Sequence, residues 1–384
     1  MRLPIFPLMA IAVLCVVPAV ALAQQDGQRP TSPLPPETIA AIDAVIASQM
    51  QEQELVGVAL GVVHNGQIAY LKGYGLADAE RQIPVTPQTV FNWASNSKVV
   101  LAVAAMQLVQ QGKLDLDADI RTYLPEFPDK GHVITSRHLL CHQSGIPHYA
   151  NGQVPLVTQQ MAPLEIELDP LAALNRFAAA PLLFPPGERM EYSSYAYVVL
   201  SAVVQRAGKE PLWQQLQTRI LGPLDLRSFQ LDMPYTGQPD WAAGYKKNDE
   251  GIVARVPDYA HFWKHGAGGY KSNVTDFAKW AQAILNHKLM DEATEQLMWT
   301  RQKTTDGQET RYGLGIVVAG SGNDLEVSHG GRHAETRTHM RILPARKVAV
   351  VVMTNCGHAD ASLITGPIAE LLLKQTANGA RQAE

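Results

Sequence analysis

The segment Phe91-Asn92-Trp93-Ala94-Ser95-Asn96-Ser97-Lys98-Val99-Val100 places a serine and a lysine three residues apart at the head of an apolar run. At that spacing the two side chains share one face of a helix. The residues that follow, Val99, Val100, Leu101, Val103, Ala104, Met106, Leu108 and Val109, leave almost no polar face, so a helix over Val99 to Gln111 must be buried. A lysine heading a buried helix is costly unless its pKa falls or it finds partners. With its pKa lowered, Lys98 becomes a usable base beside Ser95, and the helix N-terminus favours the negative charge that develops at a serine nucleophile. A capping serine and a snorkelling lysine would satisfy the same spacing. With 14 serines and 14 lysines in the chain, about 0.5 Ser-x-x-Lys matches are expected by chance, and this is the only one, so the motif alone decides little.

Two further segments could complete the chemistry. Tyr192, in Pro185-Pro186-Gly187-Glu188-Arg189-Met190-Glu191-Tyr192-Ser193-Ser194-Tyr195, stands in a loop just before a helix, where its hydroxyl can face a cleft. Beside a lysine ammonium a phenol loses its proton more readily and can serve as a base; packing of a loop onto the core is the plain alternative. Val327-Ser328-His329-Gly330-Gly331-Arg332 ends a strand with two glycines. There the backbone can approach a ligand closely and its edge N–H groups can bind an extended substrate or an oxyanion, or the segment is a simple turn.

The order of these segments along the chain resembles the serine β-lactamase and penicillin-binding protein family, and within it the class C β-lactamase, DD-peptidase and esterase branch. Leu139-Leu140-Cys141-His142-Gln143-Ser144-Gly145, Leu183-Phe184-Pro185-Pro186-Gly187, and Gly266-Ala267-Gly268-Gly269 followed by Asp276 resemble further stretches of the family, so the similarity covers essentially the whole chain after its first residues. The resemblance implies that Ser95 attacks a carbonyl to form an acyl-enzyme and that Lys98 and Tyr192 share the proton transfers. It implies an oxyanion hole from the backbone N–H groups of Ser95 and Arg332, substrate contacts at Ser194, His329, Gly330 and Gly331, and no metal or organic cofactor. Two residues depart from the family pattern. Ser194 stands where an asparagine is usual, and a hydroxyl is shorter than a carboxamide and lacks its donor-acceptor pair. His329 stands where many β-lactamases have lysine, and a largely neutral imidazole holds a carboxylate less strongly. Both departures point away from efficient β-lactam hydrolysis and toward a small ester, an amide or a D-amino-acid peptide as substrate.

The elements that must position these residues are legible in outline. Glu37 to Gln53 reads as a helix, with Ile39, Ile42, Val45 and Ile46 at three- and four-residue steps. Val56 to His64 and Gln67 to Leu71 read as strands joined by Asn65-Gly66, a strong hairpin signal. Gly313 to Ala319, Leu325 to His329, Thr336 to Leu343 and Val348 to Thr354 read as strands, followed by a helix from about Leu363 to Gln375. The middle carries helices at Val99 to Gln111, Tyr195 to Ala207, Pro211 to Ile220 and Asp276 to Leu285, with Gly112 and Gly208 where helix C-caps belong. The expected fold is therefore α/β (α+β): an antiparallel sheet built from both chain ends and flanked by helices, with a large, mostly helical inserted region, β-lactamase/transpeptidase-like. The expected division is 37–91 plus 305–384 for the sheet region and 92–304 for the helical region, with a cleft at their junction.

Composition narrows the partners. The 384 residues are 46% hydrophobic and 18% charged with a net charge of −4, ordinary for a globular chain, and no basic run suggests nucleic acid. Arg2, an apolar run from Leu8 to Val20 and the small-x-small site Ala21-Leu22-Ala23 read as a signal peptide over 1–23, followed by a Pro-rich linker over 24–36. The expectation is an exported periplasmic or secreted protein with no membrane span after cleavage. Cys141 and Cys356 then remain, either as a disulfide or as two buried thiols. Two other functions compete: a catalytically silent peptidoglycan- or β-lactam-binding sensor of the same fold, kept open by Ser194, and a metal-dependent hydrolase using His138/His142, His261/His265 or His329/His333. The metal alternative is weak, because the last two pairs are not convincingly helical and the first has no evident acidic third ligand.

Overall fold

The structure is a computed structural model that describes residues 34–149, 151, 168–233, 238–257 and 259–382. The expected signal peptide and residues 24–33 of the expected linker lie outside the described residues. Among the described residues, no helix is long and apolar enough to cross a membrane.

A seven-stranded antiparallel sheet runs in the order Ile83–Pro84, Gln67–Asp78, Gly57–His64, Val348–Thr354, Arg337–Leu343, Glu326–Arg332, Val317–Ala319, so its two central strands come from opposite ends of the chain. The Asn65-Gly66 turn has both residues at positive φ (52° and 75°), the type I′ geometry whose twist matches a two-residue hairpin. Both central strands are almost wholly buried, and their side chains alternate between two cores. Val58, Leu60, Val62, Val348, Val350 and Val352 face Ile42 and Ile46 of the Pro36–Gln53 helix and Ile364 and Ile368 of the Ser362–Gln382 helix. Ala59, Val63, Val351 and Met353 face the other way, onto Phe277, Ala278 and Ala281 of the Val274–Leu285 helix.

The middle of the chain supplies the helices Ser97–Gln110 and Ser194–Gly208, both nearly enclosed. It also holds strands too short to show a period: Val90–Asn92, Tyr270–Asn273 and Gln230–Leu231 form a small sheet of their own, and Tyr245–Lys247 pairs with Val253–Arg255. Three details differ from the sequence reading. The helix expected at Pro211 to Ile220 is Leu212–Leu216 running into a π-helical turn at Gln217–Leu221. The strand expected from Gly313 begins only at Val317, because Gly313 N–H bonds the Ile316 carbonyl in a tight turn first. Gly112 does take the left-handed conformation after its helix, but Gly208 stays helical and Lys209 turns left-handed instead. Packing explains Gly208: a Cβ there would lie 2.1 Å from Oε1 of Gln215, whose amide caps the carbonyls of Val204, Gln205 and Glu210. Cys141 and Cys356 are buried free thiols, not a disulfide.

Candidate active site

Ser95 sits in a one-turn 3-10 segment, Ala94–Asn96, that leads into the Ser97–Gln110 helix. The turn is held from three sides. Trp93 N–H donates to the Tyr270 carbonyl (2.9 Å), Thr338 Oγ1 donates to the Trp93 carbonyl (2.9 Å), and Asn96 Nδ2 donates to Thr338 Oγ1 (2.8 Å). Ala94 is held at φ 47°, an uncommon conformation for a residue with a Cβ, and its N–H is fixed by Asn92 Oδ1 at 2.8 Å. Strain of this kind persists where surrounding contacts over-determine the backbone, and here it presents the Ser95 side chain to a cleft.

Lys98 is fully buried at the head of its helix. Its Nζ lies 3.1 Å from Ser95 Oγ and 3.2 Å from Ser194 Oγ, and it donates to the Ala267 carbonyl. Burial, helped by the positive charge of Lys264, pushes its pKa well below the usual lysine range. Tyr192 Oη lies 2.8 Å from Ser95 Oγ. Burial pushes the phenol up to about 12, against the smaller opposing effect of its bonds to Ser95 and Ser194. This runs opposite to the phenolate expected from the sequence, because removing the pair from water favours the neutral form of both groups. Burial thus disfavours the charged form of both groups, and a phenol that stays protonated leaves the Lys98 amine as the base within reach of Ser95.

The Leu139–Gly145 segment explains the placement of Tyr192. The His142 ring stacks on the Tyr192 ring with centroids 4.2 Å apart, and its Nδ1 accepts the Ser193 N–H at 3.2 Å. Its carbonyl accepts the Glu191 N–H (2.8 Å), and the Gln143 carbonyl accepts the Gly187 N–H (2.8 Å). Ser193 Oγ caps the Ser194–Gly208 helix by accepting the Ala196 N–H. Ser194, short as it is, reaches Lys98. Its N–H donates to His148 Nδ1 at 3.1 Å, so the His148 proton resides on Nε2 in a ring that lines the cleft. Burial pushes His148 down to about 4 and keeps it neutral.

On the opposite wall, the Glu326–Arg332 strand pairs with Val317–Ala319 only over Glu326–Ser328, so His329 to Arg332 run along an open edge. A Cβ on Gly331 would stand 2.1 Å from Thr338 Oγ1, 2.4 Å from the Trp93 carbonyl and 3.2 Å from Ala94 Cβ, so only glycine lets this edge close on the Ser95 turn. The prediction that arises here is that Gly331→Ala lowers kcat/KM by about 10²-fold or more, the scale of losing one oxyanion donor, while the circular dichroism spectrum is preserved. His329 Nδ1 donates to the Gly330 carbonyl (2.8 Å) and its Nε2 receives Tyr312 Oη (3.3 Å). Burial lowers it to about 3, so the ring is neutral with both nitrogens engaged and offers no charge to a carboxylate.

Ser95, Tyr192, Ser194, His329, Gly330 and Arg332 line one cleft of about 990 Å³, with Lys98 beneath it. The i, i+4 histidine pairs do not form. Nδ1 of His138 closes a capping box with Thr135, His142 faces Tyr192, and His265 lies at φ 44° in a kinked turn. Instead, members of two different pairs meet: His261, His333, Asp232 and Glu335 bring one donor atom each within 4.8 Å of one another, a spacing one cation could span. Asp232, however, is already bound by Lys271 (2.6 Å), Asn92 and the His261 N–H.

The family pattern described as Beta-lactamase matches residues 42–373, almost the whole described chain. The chain belongs to the beta-lactamase family. Within that family it is 30% identical over 275 residues to a putative penicillin-binding protein PbpX of Bacillus subtilis (strain 168), covering 71% of this chain and 65% of that one. It is 36% identical over 199 residues to the esterase EstB of Burkholderia gladioli, covering 49% of this chain and 50% of that one. The chain thus spans between half and just under two thirds of these relatives' lengths. The fold is shared with the octameric penicillin-binding protein homologue from Pyrococcus abyssi (TM-score 0.74, 24% identity, 88% of this chain and 77% of that one). It is shared also with D-amino acid amidase from Ochrobactrum anthropi SV3 (TM-score 0.72, 20% identity, 89% and 99%). Ser95, Lys98 and Tyr192, each expected from the sequence, meet in the structure, whereas the His261, Lys264, His333 and Glu335 cluster had only an i, i+4 histidine spacing as a signal, and its members lie up to 74 positions apart.

Proposed function

We propose that the protein is a serine hydrolase that cleaves ester or amide carbonyls through an acyl-enzyme on Ser95. The observation that carries this reading is the bond set around Ser95 Oγ: Lys98 Nζ at 3.1 Å and Tyr192 Oη at 2.8 Å, with burial disfavouring the charged form of both groups. In this reading Lys98 takes the Ser95 proton as Oγ attacks the carbonyl carbon, within the distance that general-base transfer requires. The ammonium so formed is held by the Ala267 carbonyl and Ser194 Oγ. The backbone N–H groups of Ser95 and Arg332 receive the oxyanion. Tyr192 conducts the proton to the leaving alkoxide or amine, and water then reverses the sequence to free Ser95.

Because Ser194 keeps its bond to Lys98, turnover is favoured over silent binding. The neutral, enclosed His329 supports ranking small esters and amides first, D-amino-acid peptides second and β-lactams third, and the similarity to an esterase points the same way. Turnover of a chromogenic ester, a D-Ala-D-Ala peptide and a chromogenic cephalosporin, measured side by side, tests the ranking. A cephalosporin rate far above the other two overturns it. Tyr192→Phe keeps the ring against His142 and removes only the hydroxyl. It is expected to lower kcat by about 10²–10³-fold, the range for one proton-transfer group, with an unchanged melting temperature. Steady-state kinetics and calorimetry on one preparation check both halves.

A further inference from the structure

A second lysine is built into the cleft wall, and the triad chemistry does not use it. Lys264, in the 3-10 segment Phe262–Ala267, is 6% exposed, yet it lines the same cleft as Ser95. Its Nζ lies 2.9 Å from His261 Nδ1 and 3.5 Å from His333 Nε2. Behind the two imidazoles stands Glu335: its Oε1 is 2.9 Å from His261 Nε2 and 3.6 Å from His333 Nδ1. The histidine rings pack against each other with centroids 3.9 Å apart and planes tilted by 40°. The cluster is thus a carboxylate and an ammonium bridged by His261, which receives a proton from Lys264 at Nδ1 and gives one to Glu335 from Nε2, with His333 packed beside them. That polarity argues against a resident cation at His261. An imidazole that ligates a metal through Nε2 carries a proton on Nδ1 and needs an acceptor there, whereas a lysine donor occupies that side.

Burial would raise the Glu335 carboxyl, but His261 and His333 more than offset it and hold it well below the usual carboxylate range. Burial brings Lys264 down to about 8, against the opposing pull of Glu335 and Asp232, so it remains largely charged at neutral pH. Two of its three N–H directions go to the imidazoles, and beyond them Nζ faces the Tyr149 ring, 5.1 Å from the centroid. The cleft around it is strongly basic. Arg311, Arg332 and Arg337 line it together with Lys264, against Asp360 as the one carboxylate among the described lining residues. A buried ion pair bridged this way adds little stability compared with apolar packing, so its retention beside the nucleophile calls for a binding role.

We propose that Lys264, oriented by His261, His333 and Glu335, is the receptor for an anionic group on the substrate, and that the preferred substrates are esters or amides carrying a carboxylate beyond the scissile carbonyl. The proposal rests on the hydrolase reading above and names its substrate class. Lys264 and the exposed Arg332 line the same cleft and provide two positive charges that select an anion by charge.

The test compares two p-nitrophenyl esters of matched chain length, a neutral acyl ester and the half ester of a dicarboxylic acid. The wild-type enzyme is expected to prefer the half ester. Lys264→Met is expected to cut the ratio of kcat/KM for the half ester to that for the neutral ester by about 10-fold or more, chiefly through KM. Lys264→Arg is expected to restore part of the ratio, and Glu335→Gln to lower it by a smaller factor because it acts through positioning. Labelling of Ser95 by a neutral fluorophosphonate is measured on every variant. Absence of labelling in the wild-type protein defeats the hydrolase reading itself. Normal labelling with a substrate ratio that Lys264→Met changes by less than 2-fold overturns this inference alone. Saturable zinc binding that disappears in His333→Ala, with no effect of Lys264→Met on the ratio, overturns it in favour of a metal site.

Discussion

Replacing Ser95 by alanine is expected to lower kcat on a chromogenic ester by about 10⁴–10⁶-fold, the scale of removing the nucleophile from a serine hydrolase. The fold should not register the change. Among the described residues, Ser95 Oγ is bonded only to groups of the site itself, Lys98 Nζ and Tyr192 Oη, while the turn that carries it is held by backbone and by Asn92, Asn96 and Thr338. Residual activity should be insensitive to chelators. A Ser95→Ala protein that keeps a tenth of its activity, free of wild-type contamination, would contradict the assignment.

Lys98→Met carries the second large effect, and it has two signs. Activity is expected to fall by about 10²–10⁴-fold, because the proton acceptor for Ser95 is gone. Stability is expected to rise. Burial holds the Lys98 amine below its unfolded pKa, so between the folded and unfolded values the unfolded state binds more protons than the native state. Below the folded-state pKa each unit of that depression costs about 1.4 kcal/mol of wild-type stability, and between the folded and unfolded pKa values the cost shrinks as pH rises. Methionine removes the cost, offset in part by leaving the Ala267 carbonyl without its donor. With more protons bound in the unfolded state, wild-type stability climbs with pH toward the unfolded pKa. The advantage of Lys98→Met should therefore shrink steadily between pH 7 and pH 10. Chemical denaturation across that range checks the sign: an advantage that is absent at pH 7, or that grows with pH, would mean that burial does not lower the Lys98 pKa.

Much of this site was legible because its parts are contiguous in sequence. Ser95 and Lys98 share one turn, Tyr192 stands just before a helix, and Gly330-Gly331 lie within a strand, so each motif carries its own local reason. The sheet was legible for a similar reason: Asn65-Gly66 permits one kind of turn, and strand alternation reports which face is buried. What could not be read depends on tertiary proximity. The protonation of Tyr192 follows from enclosure by His142 and its neighbours, and a motif says nothing of solvent exclusion. His261, Lys264, His333 and Glu335 converge from two segments whose only sequence signal was an i, i+4 histidine spacing, which pointed to the wrong pairs. The left-handed residue after the Ser194–Gly208 helix is Lys209 because Gln215 claims the space beside Gly208, and side-chain crowding outweighed the usual preference for glycine.

The account stands or falls on a covalent bond to Ser95. Mixing the protein with a slowly turned-over activated ester, quenching in acid within seconds and mapping the peptides by mass spectrometry observes that bond directly. The expected result is an increment equal to the acyl group, confined to the peptide containing Ser95, absent in Ser95→Ala and longer-lived in Tyr192→Phe. An acyl group on another side chain, or ester turnover with no adduct at any quench time, would contradict it.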